Sequence, residues 1–169
     1  MTEAGASYIS ELARAKINLT LHVGAAIGAG QWAGYHPVES LVVFADFGDT
    51  LLFKPNPRPS LTFKGRFGKA CADMPTNTIW AAFDRLDVEP MRVMLHKDIP
   101  IAAGLGGGTA DAAAVLRVFD PEQTVDPVVL GADVPVCRLS QTAMMEGIGE
   151  RLTPLPGLRQ IAVVLVNPG

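Results

Sequence analysis

Apolar and polar residues alternate in Ile17-Asn18-Leu19-Thr20-Leu21-His22-Val23, which places Ile17, Leu19, Leu21 and Val23 on one side of a half-buried strand. Tyr8 to Ala13 is read as a strand pairing beside it. After a flexible stretch, Gly24 to Gly34, apolar residues resume in Val38 to Phe47, Leu51 to Phe53 and Leu61 to Phe63. Gly, Asp, Asn or Pro break each run, which predicts several short antiparallel strands. The spacing then widens to three or four at Ile79, Trp80, Phe83 and Leu86, one face of a helix that Thr76 or Asn77 can cap. Met91, Val93 and Leu95 alternate with Arg92, Met94 and His96, another strand. Thr109 to Phe119 is small and apolar almost all round, hence a buried helix, ended by Asp120-Pro121. Thr142 to Glu146 and Ile161 to Val166 complete the strands. Strands before and between two helices predict an α+β domain over residues 1–169.

Composition narrows the function classes. A chain of 169 residues, 49% hydrophobic and 18% charged, has the size and balance of one globular domain with a real core. Fourteen basic against 17 acidic side chains leave a formal charge of −3, so there is no basic surplus to hold a nucleic-acid backbone. Cys71 and Cys137 lack metal-ligand spacing and read as buried thiols of a reducing compartment. The first residues include Glu3 and Glu11 with no apolar run of leader length, and Ile161 to Val166 is too short to cross a bilayer. The expectation is a cytoplasmic chain with no membrane partner.

The chemistry concentrates in Gly104-Leu105-Gly106-Gly107-Gly108-Thr109-Ala110-Asp111, between a strand-like and a helix-like run. Glycines let a ligand approach backbone N–H groups without a Cβ in the way, and a helix start offers unpaired donors and partial positive charge. That suits a phosphate, held with no lysine in the loop. The sequence is not a Walker A loop, because no Gly-Lys-Ser/Thr follows. It is also a poor dinucleotide fingerprint: Thr109 stands at the third glycine, and Arg92, His96 and Lys97 occupy what should be a buried parallel strand. Thr109 has a hydroxyl free for a phosphate, for Mg²⁺ or for the helix start, and Asp111 can complement the macrodipole.

Lys16 and Asn18 are two residues apart and project from one strand face. By itself Lys16 reads better as a solvated strand-end lysine, and Asp133, within Gly131-Ala132-Asp133-Val134-Pro135, reads equally as a turn or capping residue. Together, a glycine loop for a polyphosphate, a lysine for developing charge and a carboxylate to accept a hydroxyl proton have the logic of phosphoryl transfer.

Ala15-Lys16-Ile17-Asn18-Leu19, Gly34-Tyr35-His36, Pro100 to Ala114 and Gly131 to Pro135, in this order, resemble the GHMP kinases, and within them the branch acting on CDP-methylerythritol. Gly147-Ile148-Gly149-Glu150-Arg151-Leu152 and Val164 to Gly169 extend the resemblance to the last residue. It implies the family's N-terminal domain, of the ribosomal protein S5 domain 2-like fold with a mixed sheet of four to five strands packed with helices, and ATP-dependent, Mg²⁺-assisted transfer of the γ-phosphoryl group to the 2-hydroxyl of the methylerythritol moiety. By motif match, Lys16 and Asp133 fall on the catalytic pair. The phosphate loop falls on Pro100, Ile101, Ala102, Ala103, Gly104, Leu105, Gly106, Gly107, Gly108, Thr109 and Ala110, and the substrate side on Asn18, Tyr35 and His36. Ala33 replaces the acidic residue usual before Gly-Tyr-His, Ala110 replaces a second loop hydroxyl, and the interval from Asp111 to Gly131 is shorter than usual. Members normally continue into a second α/β domain, which this sequence does not supply. Another GHMP small-molecule kinase, or a non-catalytic nucleotide-binding module, would share the glycine loop.

Overall fold

The computed structural model describes residues 7–74, 77–158 and 161–166. Its frame is one seven-stranded mixed sheet with helices packed against one face. Strand β1 (Ile9–Asn18), the two-residue β2 (His22–Val23) and the 18-residue β3 (Val38–Pro55) come first. β4 (Ser60–Lys64), helices α1 (Gly68–Ala72) and α2 (Thr78–Phe83), and β5 (Met91–His96) follow. Then come α3 (Gly107–Phe119), a 3₁₀ turn at Pro127–Leu130, α4 (Val134–Leu139), β6 (Ala143–Gly147) and β7 (Arg151–Pro154).

The long β3 organises everything else. Its second half, Thr50 to Pro55, lies between β1 and β5; its first half, Val38 to Val42, pairs with β6. β4 joins β5 in parallel, so the expectation of short antiparallel strands is corrected in two ways: the runs Val38 to Phe47 and Leu51 to Phe53 are one long strand, β3, and the run Leu61 to Phe63 lies in a strand that pairs in parallel. Ile9 to Asn18 is likewise a single strand rather than two neighbours. It ends at Asn18, and Leu19, Leu21 and Val23, expected to be half-buried, are all exposed. The alternation there is real, but no layer covers it.

An irregularity in the β1–β3 ladder matters for chemistry. Arg14 pairs with Gly48, whereas Lys16 pairs with Phe44, so β3 carries two more residues than β1 across that step. Such a bulge changes which side chains point inward. Ala13, Ala15 and Lys16 are all buried as a result, which simple alternation forbids.

The core packs Val42, Leu51, Phe53, Val93, Leu95 and Met145 of the sheet against Ala112 to Leu116 of α3. The alanines let that helix lie close to the strands. Phe53 meets Phe119 and Phe83 edge-on, with ring centres 5.0 and 6.1 Å apart. Asn77 caps α2, its side chain accepting the Ile79 N–H at 2.9 Å, while Thr76 lies outside the described residues. Ile161 to Val166 is not a strand here; it is exposed and finds no ladder partner among the described residues. Asn167 to Gly169 lie outside them. Both cysteines are buried free thiols, and no helix among the described residues is long and apolar enough to cross a membrane.

Candidate active site

The bulge delivers Lys16 to the start of α3. Its backbone N–H donates to the Leu105 carbonyl at 2.9 Å, tying β1 to the glycine loop. Gly106 precedes the helix with φ +66°, and a Cβ there would come within 3.3 Å of Lys16 Cβ and 3.2 Å of Thr109 Oγ1. Only glycine meets both demands easily. The helical ladder starts with Ala110 N–H to Gly106 O, 2.8 Å, so the N–H groups of Gly107, Gly108 and Thr109 precede it. Ala102, Gly104 and Gly108 are exposed, so the loop is open to a ligand. The Thr109 hydroxyl serves the helix start, donating to Gly106 O at 2.8 Å.

Lys16 Nζ lies 3.0 Å from Asp133 Oδ2 and donates to Asn18 Oδ1 at 2.9 Å. Asn18 in turn donates to Ser40 Oγ at 2.7 Å, and that hydroxyl donates to Thr20 O. The Lys16 side chain is 5% exposed and that of Asp133 33%, so the pair has one covered and one open end. Asp133 occupies the N-cap position of α4, yet its side chain caps nothing, which removes the capping alternative. The shortened interval after Asp111 does not prevent the meeting, because the 3₁₀ turn and α4 return the chain directly to β1.

A second support went unseen in the sequence. Gly149 has φ +120°, and a Cβ there would stand 2.2 Å from the Ala132 carbonyl, so this turn presses on the residue preceding Asp133. Glu150 holds the turn by accepting the Ile148 N–H at 2.6 Å. The Gly-Ile-Gly-Glu motif is thus the seat of the aspartate.

Tyr35 and His36 stand apart. Tyr35 is exposed and packs edge-on against Trp32, centres 5.9 Å apart, while His36 Nδ1–H donates to the Gly24 carbonyl at 2.8 Å. Among the described residues no hydrogen bond joins either to Lys16, Asn18 or Asp133.

Two expectations need correction. Lys97, taken as a polar intruder in a strand, is buried and donates to Asp49 Oδ2 at 2.5 Å and Asp111 Oδ2 at 2.7 Å. Asp111 is therefore an ion-pair partner rather than a macrodipole complement. Asp49 also accepts the N–H groups of Asp98 and Ile99 at 2.7 and 2.8 Å. So the loop carries no lysine, but two lysines flank it. Lys97 and Asp49 were detectable by parity: Met91, Val93, Leu95 and Lys97 share a face, as do Asp49, Leu51 and Phe53.

Residues 74–122 match the model of the GHMP kinases N terminal domain. The chain is 48% identical, over 94% of its length, to the 4-diphosphocytidyl-2-C-methyl-D-erythritol kinase of Paracoccus denitrificans, and 45% identical, over 98%, to that of Rhizobium johnstonii. The chain is similar to the GHMP kinases over nearly all of its length. A crystal structure of 4-(cytidine 5'-diphospho)-2C-methyl-D-erythritol kinase superposes on 90% of this chain with a TM-score of 0.64 at 33% identity. The chain spans 56% and 58% of those two relatives and 61% of the solved one. The α+β fold is thus that of a GHMP kinase N-terminal domain, though with seven strands rather than four or five.

Proposed function

We propose that the glycine loop and the Lys16–Asp133 pair form the phosphoryl-transfer centre of an ATP-dependent kinase acting on the 2-hydroxyl of 4-diphosphocytidyl-2-C-methyl-D-erythritol. The observation that carries this reading is the Lys16 Nζ to Asp133 Oδ2 contact of 3.0 Å, made by a lysine whose own N–H holds the loop. The names of the relatives support the substrate.

In this mechanism the loop's backbone N–H groups hold the polyphosphate. The substrate hydroxyl gives its proton to Asp133 as its oxygen attacks the γ-phosphorus, the bond from that phosphorus to the β–γ bridging oxygen breaks, and ADP leaves. Lys16 neutralises the charge that develops, and Asn18 fixes the ammonium. Among the described residues no three His, Cys, Asp or Glu side chains gather as metal ligands. Mg²⁺, bound with the nucleotide, would supply charge neutralisation of the phosphates, and the Thr109 hydroxyl beside the loop is the side chain that would be available to it. Tyr35 and His36 are assigned to the cytosine end, on the motif match and on their exposure.

The test is a phosphoryl-transfer assay with this substrate and Mg-ATP on the full-length protein, beside a panel of other small alcohols. Turnover confined to another alcohol would make it a different GHMP kinase; ATP binding without transfer to any would leave a nucleotide-binding module.

A further inference from the structure

Lys97 lies directly under the loop, since a Cβ on Gly107 would stand 3.0 Å from Lys97 Nζ and 3.2 Å from Ile99 Cγ2. One ammonium is enclosed by two carboxylates, so the sealed cluster carries a net negative charge when both acids are ionised. Asp49, fully buried, additionally fixes the corner between β5 and the loop through the Asp98 and Ile99 N–H groups. Asp111 is nine-tenths buried or more, and its Oδ1 has no hydrogen-bond partner among the described residues. An ionised carboxylate with an orphaned oxygen is costly there, and a neutral carboxyl costs far less.

We propose that the Asp49–Lys97–Asp111 cluster positions the glycine loop and couples its hold on nucleotide phosphates to a proton on Asp111. This rests on the nucleotide reading above. Phosphates over the loop and a net negative charge beneath it repel each other, and a proton on Asp111 removes the repulsion. Burial pushes the Asp111 carboxyl up to about 7; Lys97 opposes the rise and Asp49 adds to it. The other groups around it are accounted for. From α1 the buried Cys71 thiol feels the same three charges, and its own pKa is raised, chiefly by burial. α2 contributes no titratable side chain, and neither does the 3₁₀ turn. α4 brings Cys137, a buried thiol set against Thr109, and Arg138, held by Asp120. On β1, Lys16 is paired with Asp133 and Glu11 with Arg117.

The sign follows from linkage: nucleotide favours the protonated form, so affinity falls as pH rises through neutrality and binding takes up protons. The experiment is calorimetric titration of the full-length protein with ATP, unsubstituted and as Asp111→Asn and Asp49→Asn, from about pH 6 to about pH 8, in buffers of differing ionisation enthalpy. Unsubstituted protein should lose roughly fivefold more affinity over that range than Asp111→Asn does, with proton uptake that the variant lacks. Asp49→Asn keeps an acceptor for the two N–H groups while lowering the buried charge, and should flatten the slope too. A merely structural cluster would give weaker binding with one common slope, which overturns the proposal. If the unsubstituted protein binds no ATP at any pH, the nucleotide reading itself falls.

Discussion

Two buried lysines touch neighbouring residues of one glycine loop, Lys16 against Gly106 and Lys97 against Gly107, and they are housed in opposite ways. The carboxylate partner of Lys16 keeps a third of its side chain in solvent, whereas both partners of Lys97 are sealed. An open carboxylate can exchange a proton with an incoming alcohol; a sealed one can only hold things in place or respond to charge through the protein. The difference separates a group suited to reaction from one suited to positioning, although residue types and distances are alike.

The sharpest way to break that distinction is Asp133→Asn. Turnover should fall by about 10³-fold or more, the scale of losing a general base and its electrostatic partner, while ATP affinity stays within about threefold. Steady-state kinetics beside calorimetry reads both, and a parallel loss would show Asp133 to be structural. The opposite pattern is expected at the sealed centre. Lys97→Met leaves Asp49 and Asp111 facing each other unpaired, which should cost about 3–5 kcal/mol of stability by denaturant unfolding. Lys16→Met, with Asp133 able to reach water, should cost much less. Equal destabilisation by the two would mean that the open end of the Lys16 pair gives it no relief.

The sequence made one lysine legible and hid the other. Lys16 was found because it lies in a motif, with Asn18 on its face and Asp133 in a glycine-bounded turn. Their contact was not readable, since it depends on a bulge in β1–β3 pairing and on a glycine turn after β6, both products of long-range pairing. Lys97 was visible only as an anomaly in an alternating strand. Its parity with Val93 and Leu95 points inward, but nothing local says that Asp49, in another strand, and Asp111, in a helix, meet it there. β5, with its clean alternation, and α3, small and apolar almost all round, came out nearly as they are. Runs interrupted by polar residues, as in β3, were divided too finely because a strand shared among several partners tolerates Gly and Asp where ladders change. The exposed Leu19, Leu21 and Val23 show the converse, a pattern without a covering layer.

Acidity offers a third contrast. Asp111, raised to about 7 by burial, binds its proton more tightly folded than unfolded, so its contribution to stability is complete below about pH 4 and is lost as pH climbs through about 7. Asp120 behaves oppositely. Burial works against its ionised form, but hydrogen bonds from the Thr124 hydroxyl and the Thr124 and Val125 N–H groups, with the Arg138 charge, bring it down to about 2. Its contribution is present above about pH 4 and vanishes as pH falls toward about 2. Melting temperature against pH should therefore decline between about pH 4 and about pH 7 in the unsubstituted protein and less in Asp111→Asn. An identical decline over that window would mean that Asp111 does not carry the buried proton.

The smallest expected effect probes the loop from its outer side. The Thr78 hydroxyl, one residue past the α2 cap, donates to the Gly108 carbonyl at 2.7 Å and so steadies the start of α3 without touching either lysine. Thr78→Val keeps the shape and removes that bond, a loss of about 1 kcal/mol. If the loop holds nucleotide in both ground and transition states, that loss raises KM for ATP by roughly threefold to fivefold and leaves kcat unchanged. A fall in kcat at unchanged KM would mean that the loop tightens only as the phosphoryl group moves. The glycine loop would then belong with Lys16 and Asp133 in the reacting machinery rather than with Lys97 in the frame that supports it.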